Sequence, residues 1–284
     1  MSDNDPANTI AFQGHAGAYS HLASRDVYPG MTVLPQPDFE AAFEAVATGK
    51  AALAMIPIEN SLAGRVADIH HLLPESGLFL VAEHFQRVNH HLMGIEGATL
   101  KGLKTVHSHV HALGQCRDHI RALGLTPSVQ ADTAGSARDV AAAGDPTQAA
   151  IASSIAAEIY GLKILKPDFE DADHNTTRFV VLARESKRPP AGAGPAMTSI
   201  VFRVRNVPAA LYKAMGGFAT NGINMVKLES YQLGGTFNAT QFFADIEGHP
   251  DEVGVKFAFE ELEFYTNYFR VLGTYPAHPF RGLT

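Results

Sequence analysis

Cysteine and tryptophan are almost missing from this sequence: its 284 residues contain a single Cys, Cys116, and no Trp. One thiol cannot close an intramolecular disulfide, so the fold must rest on burial, and a large Cys-poor chain fits a reducing, cytoplasmic setting. Positive charge is also short. The 22 Lys and Arg stand against 29 Asp and Glu, a net charge of −7, which argues against nucleic acid, since phosphate backbones select a basic face. No apolar run approaches the ~20 residues of a membrane span; even residues 149–157 are interrupted by Ser153 and Ser154. Met1 to Asn8 lack an apolar stretch and are expected to be a frayed terminus rather than a secretory leader. Four chemical signatures are absent as well. Gly14 and Gly17 do not make GxGxxG, and there is no GxxxxGK[ST], no HExxH and no GxSxG, so nucleotide loops, zinc hydrolase helices and a nucleophile elbow are not expected.

What is present reads as an ordinary globular composition, with 46% hydrophobic and 18% charged residues. The length predicts two domains. Residues 184–197, RESKRPPAGAGPAM, concentrate Pro and Gly without apolar periodicity and read as a linker. This gives a first domain over residues 9–184, a linker at 185–197 and a second domain over 198–284.

Before the linker, short apolar runs at 52–58, 78–83, 104–107, 149–152 and 178–183 predict strands. Ala-rich periodic segments at 39–48, 112–123 and 133–143 predict helices, each with Gly just past its end. Alternation of β and α implies a mainly parallel sheet divided into two lobes, with a ligand cleft between them. After the linker the order changes to strand 199–204, helix 208–220, strands 223–231 and 237–246, helix 251–265 and strand 268–275. That is βαββαβ, a ferredoxin-like arrangement, with Gly234 and Gly235 marking a hairpin.

Three segments of the first domain run from an apolar strand through a small polar turn into a helix start: FQGHAGAYS at 12–20, PIENSLAGRV at 57–66 and HSHVHALGQC at 107–116. Such turns aim backbone N–H groups and a helix dipole at the strand ends, which suits carboxylates. The competing reading makes Ser20, Ser61 and Ser108 simple N-caps. A fourth segment, NTTRFVV at 175–181, places Thr177 and Arg178 at the start of an apolar strand. The planar fork of Arg178 could grip a carboxylate, or it could pair with Asp171 or Asp173 at the surface. Glu59 is a candidate acid or base, or a solvated turn carboxylate. His107, His109 and His111 alternate as a metal-binding strand face would, yet the run crosses an expected turn and no second Cys accompanies it, so no metal is expected.

At these segments the chain resembles the prephenate dehydratases. The resemblance runs in order through FQGHAGAYS, PIENSLAGRV, SHVHALGQC, the AAIASSIAAEIYGLKIL stretch at 149–165 and TRF at 177–179. It implies two α/β lobes like those of periplasmic binding proteins, followed by an ACT domain. It also implies a cofactor-free reaction in which prephenate loses its ring hydroxyl and ring carboxylate to give phenylpyruvate, water and CO2. By the same resemblance Thr177 hydrogen-bonds or protonates the leaving hydroxyl and Arg178 anchors a carboxylate, while Asn60, Ser61, Ser108, Gln115 and Phe179 contact substrate.

An ACT domain implies L-phenylalanine as effector and a homodimer or homotetramer. Two regulatory motifs depart from the pattern. GAL reads Ala209, Ala210, Leu211, and ESRP reads Glu229, Ser230, Tyr231, Gln232, whereas NGIN at 221–224, with Asn221 and Asn224, is retained. A methyl at Ala209 is expected to narrow an effector pocket. Arogenate dehydration and a non-catalytic amino-acid sensor are the rival readings.

Overall fold

The computed structural model describes residues 5–233 and 239–282, and of residues 67, 68, 239 and 240 the backbone only. In chain order the elements before the linker are β1 (Thr9–Gln13), α1 (Tyr19–Val27), β2 (Thr32–Gln36), α2 (Phe39–Ala47), β3 (Leu53–Asn60), β4 (Gly64–Arg65), α3 (Ala67–Glu75), β5 (Phe79–Arg87) and β6 (His91–Gly94). They continue with β7 (Thr105–His109), α4 (Val110–Gln115), α5 (Arg117–Ala122), β8 (Thr126–Gln130), α6 (Thr133–Ala143), β9 (Gln148–Ala152), α7 (Ser154–Tyr160), β10 (Lys163–Lys166) and β11 (Thr176–Ala183). After it come β12 (Ala196–Val204), α8 (Ala210–Thr220), β13 (Met225–Gln232), β14 (Ala239–Glu247), α9 (Val253–Tyr265) and β15 (Thr266–Pro276).

Two sheets build the first part of the chain. One has the order β2-β1-β3-β11-β5, with β4 paired to β3; the other has the order β10-β6-β9-β7-β8. In β1, Ile10, Ala11 and Phe12 are all buried, the continuous apolar run of a strand covered on both faces. The helices start where the side chains permit. Asp38 Oδ1 accepts from Ala41 N at 2.7 Å and opens α2, and Asp132 Oδ1 does the same for Gly135 N in α6. Helix α6 closes on Gly144 in the left-handed conformation, φ 62°, as expected of its C-terminal glycine.

The sheet expected to be mainly parallel forms two sheets that also carry antiparallel pairs. Pairs β1–β2, β1–β3, β7–β8 and β7–β9 are parallel, but β6 runs antiparallel to β9 and to β10. Neither of these short strands was among those expected, and a short apolar run carries no signal of direction. The single helix expected at 112–123 is broken at Cys116, whose backbone leaves helical geometry at φ −117°, ψ 16°, giving α4 and α5.

The last sheet is antiparallel, in the order β13-β14-β12-β15, and α8 and α9 cover the face that carries Ile200, Phe202, Phe242, Ala244 and Ile246. Phe218 and Phe259 meet edge to face within this core, 6.3 Å apart. The expected βαββαβ order is present, with α8 starting at Ala210 rather than Pro208 because Ala209 adopts φ 61°. The hairpin assigned to Gly234 and Gly235 lies outside the described residues.

Two compact units divide the chain, one of residues 1–69 and 84–179, the other of residues 70–83 and 180–284. Residues 70–83 join the second unit through close contacts. Arg270 donates to Pro74 O at 2.9 Å and to Leu78 O at 3.2 Å, and Gly273 packs so tightly on Leu80 that a Cβ there would sit 2.0 Å from its carbonyl oxygen. Glu83, with its side chain 0% exposed, is clasped by Arg281 Nε at 2.6 Å and Nη2 at 2.8 Å.

Candidate active site

Strand alternation sorts the residues around Thr177. β11 lies beside β3, and the Ser61 amide donates to Thr176 O at 2.9 Å. Adjacent residues of a strand face opposite ways, so Asn60 and Thr177 meet on one face and Glu59 and Arg178 on the other. On the first face Asn60 Nδ2 donates to Thr177 Oγ1 at 2.8 Å and to Asn175 Oδ1 at 2.7 Å. The Asn60 amide is held by the turn that follows it, its Oδ1 accepting from Leu62 N at 3.0 Å and Ala63 N at 2.8 Å. The sequence Asn-Ser-Leu-Ala thus folds into a side-chain-capped turn whose amide nitrogen must face β11.

On the opposite face Arg178 is 2% exposed and its Nη1 lies 2.9 Å from Glu59 Oε1. Asp171 is engaged elsewhere, accepting from the amides of Asp118 and His119. A buried guanidinium needs a paired charge, and the pairing joins residues separated by more than a hundred positions of sequence, which local spacing does not reveal.

Gln115, at the end of α4, which follows β7 of the other sheet, reaches the same network. Its Oε1 accepts from Asn175 Nδ2 at 3.0 Å and lies 2.8 Å from His90 Nε2. Ser61 is exposed, and its hydroxyl bridges Thr176 N and His174 O, each at 3.0 Å. Ser108 is fully buried and donates to Ile151 O at 2.6 Å, tying β7 to β9, while Phe179 is a core side chain. Neither Ser20 nor Ser108 caps a helix: Ser20 lies inside α1, and His109 is the cap residue of α4. Thr177, Asn60 and Gln115 therefore converge with Asn175 and His90, while Ser108 and Phe179 support the surrounding framework.

Asn175 and His90 were missed in sequence. Asn175 opened the NTTRFVV segment without being given a role, and His90 had no signal beyond its neighbour His91. Burial depresses the His90 ring below the ordinary histidine range, opposed by its Gln115 hydrogen bond and by Glu170. Tyr19, behind His90, is pushed well up by burial, so its phenol stays protonated.

A model of the prephenate dehydratases matches residues 10–187. The chain belongs to the prephenate dehydratase family. Its activity is that of a prephenate dehydratase, a hydro-lyase. The bifunctional N-acyl-homoserine lactone acylase/prephenate dehydratase of Komagataeibacter europaeus is 54% identical, over 96% of this chain and 97% of that one. Arogenate dehydratase/prephenate dehydratase 2 of Arabidopsis thaliana is 38% identical, over 94% of this chain and 72% of its own. The crystal structure of prephenate dehydratase from Arthrobacter aurescens, in complex with L-Phe, superposes with a TM-score of 0.86 at 28% identity, covering 95% of this chain and 90% of that one.

The residues expected to hold an effector fall into separate groups along the stretch from the N-cap of α8 to β13. Ala209, Ala210 and Leu211 line a cavity of about 280 Å³ with Arg205, Tyr212 and Phe242. Asn224 lines a second, of about 580 Å³, with Glu247 and Glu252. Asn221 Nδ2 donates to Gly217 O at 2.8 Å, closing α8, and on edge strand β13 Glu229 pairs with Lys227 at 3.3 Å while Ser230 is exposed. Ala209 is one of two non-glycine residues with positive φ among those described.

Proposed function

We propose that Thr177 donates the hydrogen bond, and ultimately the proton, that lets the ring hydroxyl of prephenate leave. The observation that carries this reading is the 2.8 Å bond from Asn60 Nδ2 to Thr177 Oγ1. Because the turn amides fix the Asn60 orientation, Thr177 Oγ1 is the acceptor in that pair and its own hydrogen is directed elsewhere. Among the described residues no acceptor takes it. The Asn60 donor also makes the hydroxyl more acidic, which a threonine needs in this role.

The balance of the reaction is simple. The electrons of the bond to the ring carboxylate move into the ring as CO2 leaves, the C–O bond breaks, and one proton converts the departing hydroxide into water. Aromatisation drives the step, so the protein supplies position and a proton.

Arg178 acts here as a positioning residue through Glu59 rather than as the direct anchor that the family resemblance implied. A cation gripping the ring carboxylate would stabilise the ground state against loss of a neutral CO2, and pairing with Glu59 offsets that charge. Ser61 and the Gln115 NH2 serve as polar contacts for the substrate, while Asn60, its amide engaged by the turn, Asn175 and Thr177, acts through Thr177.

The catalytic domain spans residues 9–184 and the ACT domain residues 198–284, joined by 185–197. L-Phenylalanine is the effector, a reading supported by the L-Phe complex of the Arthrobacter relative, and the cavity beside Ala209–Leu211 takes it up. The enzyme works in the cytoplasm as a homodimer or homotetramer. Comparing turnover of prephenate and arogenate tests the substrate assignment: phenylpyruvate absorbance should appear with prephenate, and faster turnover of arogenate would reassign it, since its ammonium requires an acceptor that a keto acid does not. The Komagataeibacter relative's name supports a second reading, acylase action on N-acyl-homoserine lactones, which release of free fatty acid by the purified chain would reveal.

A further inference from the structure

Five side chains form an unbroken polar chain behind Thr177, and its hydrogen positions follow from one fixed end. Leu62 and Ala63 amides are donors by nature, so the Asn60 atom facing them is Oδ1. Asn60 Nδ2 then faces Asn175 Oδ1 at 2.7 Å, and Asn175 Nδ2 faces Gln115 Oε1 at 3.0 Å. An acceptor thus lies 2.8 Å from His90 Nε2, and that nitrogen carries hydrogen. Nδ1, 2.8 Å from the Tyr19 hydroxyl, is the acceptor of a neutral ring, and the Tyr19 proton is shared with Asn89 O at 2.6 Å. His90 is 2% exposed, and its backbone amide is held by Glu170 Oε2 at 2.8 Å.

We infer that His90 is a positioning residue for the dehydration, holding the Gln115 carbonyl toward Asn175 and so keeping Asn175 Oδ1 turned to the backbone-pinned Asn60 amide that also donates to Thr177 Oγ1. The inference rests on Thr177 as donor to the leaving hydroxyl. Its logic is one of conflict avoided. A Gln115 amide that rotated would present its NH2 to Asn175, turning Asn175 in response would set NH2 against NH2 at Asn60, and Asn60 cannot turn because the backbone pins it. The Nε2–H of His90 is the group that makes the productive rotamer of Gln115 the satisfied one. Among buried polar networks, a fully satisfied one rigidifies and a half-satisfied one disorders.

Two substitutions separate this role from bulk packing. His90→Gln keeps a donor near the Nε2 position, whereas His90→Asn keeps only a partner for Tyr19. Loss of one directing hydrogen bond predicts at least a ~10-fold fall in kcat for His90→Asn, with KM within about threefold and His90→Gln within about threefold of wild type in both constants. Equal losses in both variants, or no loss in either, would overturn the inference. A second readout needs no variant: 15N shifts of the histidines in the intact enzyme near neutral pH should show His90 as the Nε2–H tautomer, and an Nδ1–H tautomer or an imidazolium would refute the assignment. If Thr177→Val remains fully active, the underlying reading of Thr177 fails. If Thr177→Val is inactive while both His90 variants turn over normally, only the role of His90 fails.

Discussion

Replacing Ala209 with Gly should stabilise the protein, a sign opposite to that of most alanine-to-glycine changes. Ala209 sits at φ 61°, ψ 14° immediately before α8, where a Cβ crowds the following carbonyl at a cost of about 1–2 kcal/mol. Glycine removes that strain but gives the unfolded chain more freedom, worth about 0.4–1 kcal/mol in the other direction. The net expectation is a gain of about 1 kcal/mol. At a urea m-value of about 1–3 kcal/mol/M this moves the midpoint up by roughly 0.3–1 M with m unchanged. Equilibrium unfolding in urea, followed by far-UV circular dichroism, measures it. The neighbouring Ala210→Gly is the control: Ala210 begins the helix, with no positive φ, and its replacement should cost about 0.5–1 kcal/mol. If both variants lose stability alike, the strain argument is wrong. Because Ala209 also lines the cavity of about 280 Å³, the glycine variant should bind L-phenylalanine more tightly by calorimetry, and weaker binding would count against that cavity as the effector site.

Arg281→Ala would leave the Glu83 carboxylate buried with the His278 amide, 3.1 Å away, as a remaining donor, and should cost about 3 kcal/mol in denaturant unfolding; a loss below about 1 kcal/mol would show that the pair adds little beyond surface attraction. The double variant Glu83→Gln, Arg281→Ala should recover part of that loss. Gly17→Ala puts a Cβ 2.9 Å from Ala156 Cα at φ +94°, and strain plus overlap should cost on the order of 2–4 kcal/mol. An unchanged thermal midpoint in that variant would contradict the close approach of the FQGHAGAYS turn to α7.

Much of the architecture could be read directly because its causes are local. The apolar run before Asn60, the helix at 133–143 with Gly144 past its end and the βαββαβ order after the linker each depend on side chains within a few residues of one another. What escaped reading depends on pairing between distant segments. The short strands β6 and β10 take their place and direction from β9 and from each other, and the break between α4 and α5 falls at the buried Cys116. Residues 70–83 join the second compact unit through backbone carbonyls that Arg270 and Gly273 approach, groups with no sequence signature.

The site shows the same division. Thr177 and Asn60 were legible through motifs, and their alternation with Arg178 and Glu59 becomes informative only once β3 and β11 are known to be neighbours. The amide chain through Asn175, Gln115 and His90 draws on three distant stretches of chain, each polar for reasons a linear pattern cannot rank. Arg178 illustrates the limit most plainly. Its guanidinium fork suggested a substrate carboxylate, and it instead holds the carboxylate of Glu59 on the buried face of the strand.

The measurement that bears most directly on the central claim compares Thr177→Val and Thr177→Ser with the unaltered enzyme in prephenate turnover, read as phenylpyruvate absorbance. Valine keeps the shape of the strand and removes the donor, so kcat should fall by at least ~10²-fold while the far-UV spectrum and unfolding midpoint stay close to those of the parent. Serine restores a hydroxyl within reach of Asn60 Nδ2 and should recover most of that loss. Wild-type turnover by the valine variant would contradict the account.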